Sequence, residues 1–267
     1  MKYAYITVLT NEDYLLGVKV LKKSMDMVNQ SKNIPFVVLV PSDANEKLLD
    51  ELKESGISFV QAENFTESIL QRENKVAYWK ETLFKLKVFD LTQFNKIVFL
   101  DSDMIVFKNL DHLFGLPHMS CVAAGQELHS DWVKLNSGLM VIEPSHKEYL
   151  GLEKLIDRVY RERTAAGFGI GDQDVIQAYY DEVWFESDKL HLSSVYNTML
   201  GYAGYLYKKG DITGLDDIYV YHFADKEKPW RNRLVERVAI LFKILKRSNS
   251  KIDYEALCRY RRVLKQV

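Results

Sequence analysis

The sequence predicts an α/β fold, a mainly parallel sheet covered by helices on both faces, and three observations carry that expectation. Runs such as residues 35–41 and 96–100 are apolar at successive rather than alternate positions, as in strands buried on both faces. Segments with apolar residues at helical spacing separate these runs, and strands alternating with helices build parallel sheets. The chain has 267 residues, 47% of them hydrophobic, enough to bury one sizeable core.

Residues 3–9 are an apolar run bounded by Asn11, Glu12 and Asp13, read as the first buried strand. From 13 to 27, Leu15, Leu16, Val18, Val20, Leu21 and Met25 recur at helical spacing. The second strand, 35–41, is closed by Pro41, which cannot continue a central ladder. A helix over 42–52 and a strand over 57–60 follow, then a helix over 82–91 and a strand over 96–100 that stops at Asp101. Beyond Asp103, residues 120–124 and 138–143 read as strands, with helices from 146 to about 163 and again after Gly171. The last strand, 218–222, precedes a proline.

No repeat or Gly/Ser linker interrupts residues 1–230, which are expected to form one domain. Residues 231–267 differ, with 11 Lys+Arg against 3 Asp+Glu; that net +8 leaves −9 for the first 230 residues of a chain whose total is −1. Over 233–247, Leu234, Val238, Leu241 and Leu245 share a face among arginines and lysines, so a basic amphipathic helical tail is expected. Such a helix either lies on an anionic membrane surface or packs on the domain or a partner subunit. Ile240, Phe242 and Ile244 widen its apolar face.

Composition excludes several classes. The apolar content rules out a disordered chain, and 36 Lys+Arg against 37 Asp+Glu argues against a nucleic-acid binder. Two cysteines, Cys121 and Cys258, form neither a disulfide framework nor a metal-ligand spacing, so a reducing, cytoplasmic setting is expected. No stretch approaches the roughly 18 apolar residues of a membrane span, and the apolar opening is too short for a secretion signal.

Two constellations carry chemistry. Asp101-Ser102-Asp103 follows a buried strand, where open α/β sheets bind their ligands. Two carboxylates so close need a counter-charge, and a divalent ion such as Mn²⁺ or Mg²⁺ suits oxygen ligands. Taken alone, the tripeptide also fits an ordinary turn. In the second, the strand ending at His222 delivers an imidazole that can add a nitrogen ligand, and Lys228, six residues on, offers a point charge for phosphate. Alone, His222 also reads as hydrogen-bonded structure.

Together with five further segments, these constellations resemble the glycogenin-type retaining glycosyltransferases of family 8, which have a GT-A fold. In family order stand the Thr10-Asn11 turn with Tyr14; Thr82 to Leu86 with Lys85; Phe99 to Asp103; Asn136-Ser137-Gly138; Gly171-Asp172-Gln173; Tyr196-Asn197; and His222 to Trp230. The resemblance spans residues 2 to about 230 and implies a single mixed, mainly parallel sheet. It implies that Val8, Thr10, Asn11 and Tyr14 hold uridine, that Ser102 joins the donor site, and that Lys85 reaches the donor's phosphate or sugar. Asp101, Asp103 and His222 would ligate Mn²⁺, with Mg²⁺ as the alternative, and Lys228 would bind the diphosphate. Asn136, Ser137, Asp172 and Gln173 would surround the transferred sugar, with Asp172, Gln173 and Lys228 as the catalytic set.

The sequence departs from the family at four places. Gly169 stands where an acidic residue is common, and Asp225 replaces a glycine whose amide approaches phosphate. Val76 takes the place of a basic residue, for which Lys75 or Arg72 could substitute. Gly204 occupies the position of glycogenin's acceptor tyrosine, with Tyr202, Tyr205 and Tyr207 nearby, so a separate acceptor is expected. The resulting expectation is a metal-dependent transferase moving a hexose from a UDP-sugar to a hydroxyl of a saccharide or lipid-linked saccharide, with retention. A nucleotidyltransferase would need a Gly-rich basic loop after the first strand, and Thr10 to Asp13 has none. A non-catalytic binding relative has only Asp225 and Gly169 in its favour. The sequence leaves the sugar, the acceptor and the oligomeric state open.

Overall fold

A computed structural model describes residues 1–28, 31–65, 82–123, 133–231, 233–247 and 250–267. Val76 and its two substitutes lie outside these residues, as does Ala124 at the end of an expected strand.

The alternating part runs as β1 (Tyr3–Val8), α1 (Leu15–Met27), β2 (Phe36–Pro41), α2 (Glu46–Glu54), β3 (Ser58–Ala62) and β4 (Lys96–Leu100). These strands pair in parallel in the order β3-β2-β1-β4. Successive residues point to opposite faces. In β4, Ile97 and Phe99 enter one apolar cluster while Val98 and Leu100 enter another. This is the physical reason the run is apolar throughout. The segment expected as a helix over 82–91 is a 3-10 helix over Phe84–Asp90, and Asn11 caps the 3-10 turn Glu12–Tyr14 before α1.

After β4 come β5 (Met104–Val106), β6 (Cys121–Ala123) and β7 (Leu135–Ile142), then α3 (His146–Ala165) and α4 (Asp172–Phe185). β7 runs antiparallel to β4, and the main sheet extends through β7 and β6 to β8 (His191–Leu192), giving a mixed, mainly parallel seven-stranded sheet. The expected strand over 138–143 therefore starts earlier. Asn136, Ser137 and Gly138 lie inside β7. The last predicted strand does not join this sheet. β10 (Val220–His222) pairs with β5 and with β9 (Thr198–Met199) in a separate three-stranded sheet. Where one sheet was expected, a second, smaller one is added, because β4 and β5 flank a sharp turn at Asp101 to Asp103 that redirects the chain.

Residues 231–267 supply two helices, α6 (Leu234–Arg247) and α7 (Lys251–Leu264), that follow the short α5 (Ala203–Lys209) in chain order. Ile240, Ile244, Leu257 and Tyr260 are buried in a third apolar cluster with Val20, Tyr221, Phe223 and Trp230. Each buried aliphatic there contributes about 1.5–3 kcal/mol. The packed side of α6 only partly matches the stripe picked out by sequence, since Leu241 alone of its four residues packs against this cluster. Ile240 and Ile244 face inward, while Leu234, Val238 and Leu245 face solvent. Asp253 of α7 is fully buried and accepts hydrogen bonds from the Tyr221 hydroxyl (2.6 Å) and the amides of Gly201, Ala203 and Gly204 (3.1–3.3 Å). Among the described residues, no helix is long and apolar enough to cross a membrane, and Cys121 and Cys258 are free thiols.

Candidate active site

The turn after β4 and the end of β10 meet because of strand register. His222 lies opposite Met104 in the β5–β10 pair, and the Phe223 amide donates to the Asp103 carbonyl at 3.0 Å. Residues 119 positions apart in sequence are thereby fixed side by side. On the other flank, α1 presses its backbone against the turn. A Cβ at Gly17 would sit 2.6 Å from the Ser102 carbonyl oxygen, so no larger residue fits without movement.

His222 Nε2 lies 3.0 Å from Asp103 Oδ1 and 3.8 Å from Asp101 Oδ2. One ligand atom from each of Asp101, Asp103 and His222 falls within a 4.8 Å span. The imidazole is oriented from behind. Its Nδ1 lies 2.9 Å from the Asn197 amide oxygen, and Asn197 Nδ2 in turn donates to Asn136 Oδ1 at 2.6 Å. Since that amide oxygen can only accept, Nδ1 donates to it, which fixes the ring with Nε2 toward the two carboxylates. One imidazole nitrogen and two carboxylates brought together in this way form a donor set that fits a divalent cation of the Mn²⁺ or Mg²⁺ type. Gly138 is required here. A Cβ would come within 2.9 Å of Asn136 Oδ1, His222 Cε1 and Met104 Cε.

Two buried lysines balance the carboxylates. Lys228 Nζ donates to Asp103 Oδ2 at 2.5 Å and to the Phe223 carbonyl at 3.0 Å. Lys85 Nζ bridges Asp101 Oδ1 (2.7 Å) and Asp172 Oδ2 (2.8 Å). Burial pulls both ammonium groups down, but the carboxylates outweigh it and hold them above the ordinary lysine range. Burial likewise pushes Asp103 up, yet Lys228 and His222 hold it well below the usual carboxylate range. For Asp101 burial wins over Lys85 and His222, and its carboxyl is raised. Asp172, at the start of α4, also accepts from Ser137 Oγ at 2.7 Å, and Gln173 Oε1 accepts the Ser137 amide at 3.2 Å.

These groups line one cleft of about 320 Å³. Its walls hold Val8, Thr10, Tyr14, Lys85, Asp101, Ser102, Asp103, Asn136, Ser137, Asp172, Gln173, His222 and Lys228, every site residue singled out by sequence except Asn11. Asn11 lines an adjoining cleft that shares Tyr14, Ala224 and Lys228. Asn136, which the resemblance sets beside the sugar, accepts at its amide oxygen from Asn197 Nδ2 (2.6 Å) and the Gly138 amide (2.8 Å). Asn197, which the sequence offers only as part of a motif, is the group that orients His222. Thr82 is a further wall residue that had no assigned role.

Asp225 is absent from the wall of the main cleft and lines the adjoining one. Its carboxylate pairs with Arg247 of α6 in two bonds of 2.6 and 2.9 Å, with Lys243 at 3.4 Å, and Lys243 also holds Glu227. Both acidic residues of the loop between His222 and Lys228 are thus drawn toward α6. Among the described residues, Tyr14 is the one tyrosine on the wall of the main cleft.

Comparison with known proteins agrees with this geometry. The family description Glycosyl transferase family 8 matches residues 5–233. An uncharacterized protein, R707, of Acanthamoeba polyphaga mimivirus is 30% identical over 249 residues, covering 87% of this chain and 83% of that protein. Inositol phosphorylceramide glucuronosyltransferase 1 of Arabidopsis thaliana is 35% identical over 188 residues, covering 68% of this chain but 30% of that protein. Among solved structures, the galactosyltransferase LgtC with donor and acceptor sugar analogues superposes with a TM-score of 0.60 at 14% identity, over 95% of this chain and 99% of that one, a likeness of fold. With the matched region spanning the sheet, the acidic turn and the loop that carries His222 and Lys228, the chain belongs to glycosyltransferase family 8.

Proposed function

We propose that this glycosyltransferase moves a hexosyl unit from a UDP-sugar to an acceptor hydroxyl with retention, at a divalent metal held by Asp101, Asp103 and His222. The observation that carries the reading is the convergence of those three ligands with Lys85 and Lys228 in one cleft. Three carboxylates, Asp101, Asp103 and Asp172, face two ammonium groups, so these five groups carry one net negative charge. A bound divalent cation reverses that sign and makes the cleft complementary to a diphosphate. When bound, the metal supplies charge neutralisation to the departing nucleotide.

The chain's own groups do the rest. Lys228 stands at the cleft wall on the loop after His222, where its ammonium can move from Asp103 to a diphosphate oxygen and stabilise the charge that develops on UDP. Val8, Thr10, Tyr14 and Ser102, which line the cleft, would hold the nucleotide, with Asn11 on the adjoining cleft. Asp172 Oδ2 already accepts from both Lys85 and Ser137, which makes it a weak nucleophile and a good anchor. This supports attack by the acceptor on the leaving-group face, with Gln173 close to the sugar carbon. An acceptor that is a saccharide or a lipid-linked saccharide fits a relative whose name specifies an inositol phosphorylceramide. Incubation with a panel of UDP-sugars and Mn²⁺, with the released UDP and the anomer of the product read by NMR, tests the proposal. One donor should be turned over with its α configuration kept, and an inverted product would refute the retaining route.

A further inference from the structure

The outward side of α6 is apolar where an ordinary surface helix is polar. Leu234, Val235, Val238, Phe242 and Leu245 are 73, 79, 55, 62 and 62% exposed. At 3.6 residues per turn these five fall within about 100° of the helical wheel and extend roughly 16 Å along it, opposite the buried Ile240 and Ile244. Arg237 and Lys246 flank the stripe, and Arg233 precedes it, all exposed. The helix's one acidic residue, Glu236, is turned inward to Arg231 at 3.5 Å. The exposed face therefore combines aliphatic and aromatic side chains with positive charge and no carboxylate.

A second observation points the same way. Arg261 of α7 has a buried Nη2 with no hydrogen-bond partner. Burial and the nearby positive charge of Arg237 pull its guanidinium below the ordinary arginine range. The Arg237 edge of the stripe thus brings two guanidinium groups together, and among the described residues neither has an ion pair with a carboxylate.

We propose that α6 docks on an anionic lipid surface, its stripe of Leu234, Val235, Val238, Phe242 and Leu245 entering the headgroup boundary while Arg233, Arg237 and Lys246 meet lipid phosphates. A second copy of the chain is a poorer occupant, because two such faces would set arginines and lysines against each other. Docking does not unfold the tail, since the opposite side of α6 stays packed through Ile240 and Ile244 and tied to the cleft loop through Asp225 and Glu227. The lipid surface would then lie about one helix diameter, roughly 10 Å, from the loop that carries Lys228.

Flotation of the full chain with phosphatidylcholine vesicles, with and without phosphatidylglycerol, tests this without reference to activity. The protein should float with the anionic vesicles, roughly fivefold more weakly for each of Arg237→Gln and Lys246→Gln, and less at high salt. Val238→Asp/Phe242→Asp should remain at the bottom of the gradient with an unchanged melting temperature. Failure of the unaltered chain to float, or flotation of the double variant equal to it, overturns the proposal. So does sedimentation velocity showing a dimer that the double variant converts to monomer, which would assign the face to self-association.

Discussion

Replacing Arg247 by alanine removes a clamp that lies outside the cleft and should still be felt by the donor. The guanidinium makes two charged bonds to Asp225 (2.6 and 2.9 Å) and one to the Leu200 carbonyl (2.8 Å). Bonds to charged groups are worth about 1.5–3 kcal/mol, but Arg247 is a third exposed, so about 2 kcal/mol in total is the reasonable loss. That corresponds to a fall of roughly 4–6 °C in Tm for a chain of this size. The freed carboxylate sits in the loop proposed to face a diphosphate. A unit charge about 8 Å from a phosphate costs about 2 kcal/mol at an effective dielectric of 20, roughly thirtyfold in affinity. Lys243 keeps part of its hold on Asp225, so a five- to tenfold rise in KM for the UDP-sugar is expected, with kcat changing less. Arg247→Ala/Asp225→Gly should recover the KM, because it removes the repelling charge, yet not the Tm. Steady-state kinetics and thermal melts on the three proteins decide it. An unchanged KM in Arg247→Ala, or no recovery in the double variant, would refute the idea that the clamp exists to turn Asp225 away.

The same pair sets a pH dependence. Burial pushes the Asp225 carboxyl up, but Arg247 and Lys243 outweigh it and hold it below its ordinary value. A depressed native pKa gives stability that is complete above the unfolded value near 3.9 and is lost as pH falls through the native one. The Tm gap between the wild-type chain and Arg247→Ala should be flat near neutrality and close in acid, and a gap that widens in acid would contradict the assignment. Asp253→Ala should cost about 3–5 kcal/mol in denaturant melts, since it strands the buried Tyr221 hydroxyl and three amides, while Asp253→Asn should cost less. Intact-mass measurement after incubation with donor and Mn²⁺ should show no hexose increments, because Gly204 is buried and Tyr202, Tyr205 and Tyr207 are absent from the cleft wall; increments mapping to any of the three would contradict this.

Much of the molecule was legible because its signals are local. The doubly buried strands β1, β2 and β4 announce themselves in a few consecutive residues, and β4 begins and ends as its apolar run does. The acidic turn and the His222 to Lys228 spacing were visible for the same reason. Strands β5, β8 and β9, of two or three residues each, carry no periodicity and exist through pairing with distant partners. Asn197 could be seen as part of a motif but not as the orienter of His222, since that role depends on a contact across 25 residues. Helix α6 offered two apolar faces, Ile240 with Ile244 and Leu234 with Val238 and Leu245. Which one packs depends on Phe223, Trp230 and Tyr260, whose position no local pattern encodes.

The central claim is that Asp101, Asp103 and His222 hold a divalent cation on which nucleotide binding depends. Calorimetric titration of UDP into the full chain, with and without Mn²⁺, tests it most directly. Binding should be strong with Mn²⁺ and at least tenfold weaker without it, absent in Asp103→Ala and reduced in His222→Ala, with the far-ultraviolet circular dichroism unchanged in each variant. Equal UDP affinity with and without the metal, or metal-dependent binding that survives Asp103→Ala, would contradict the account.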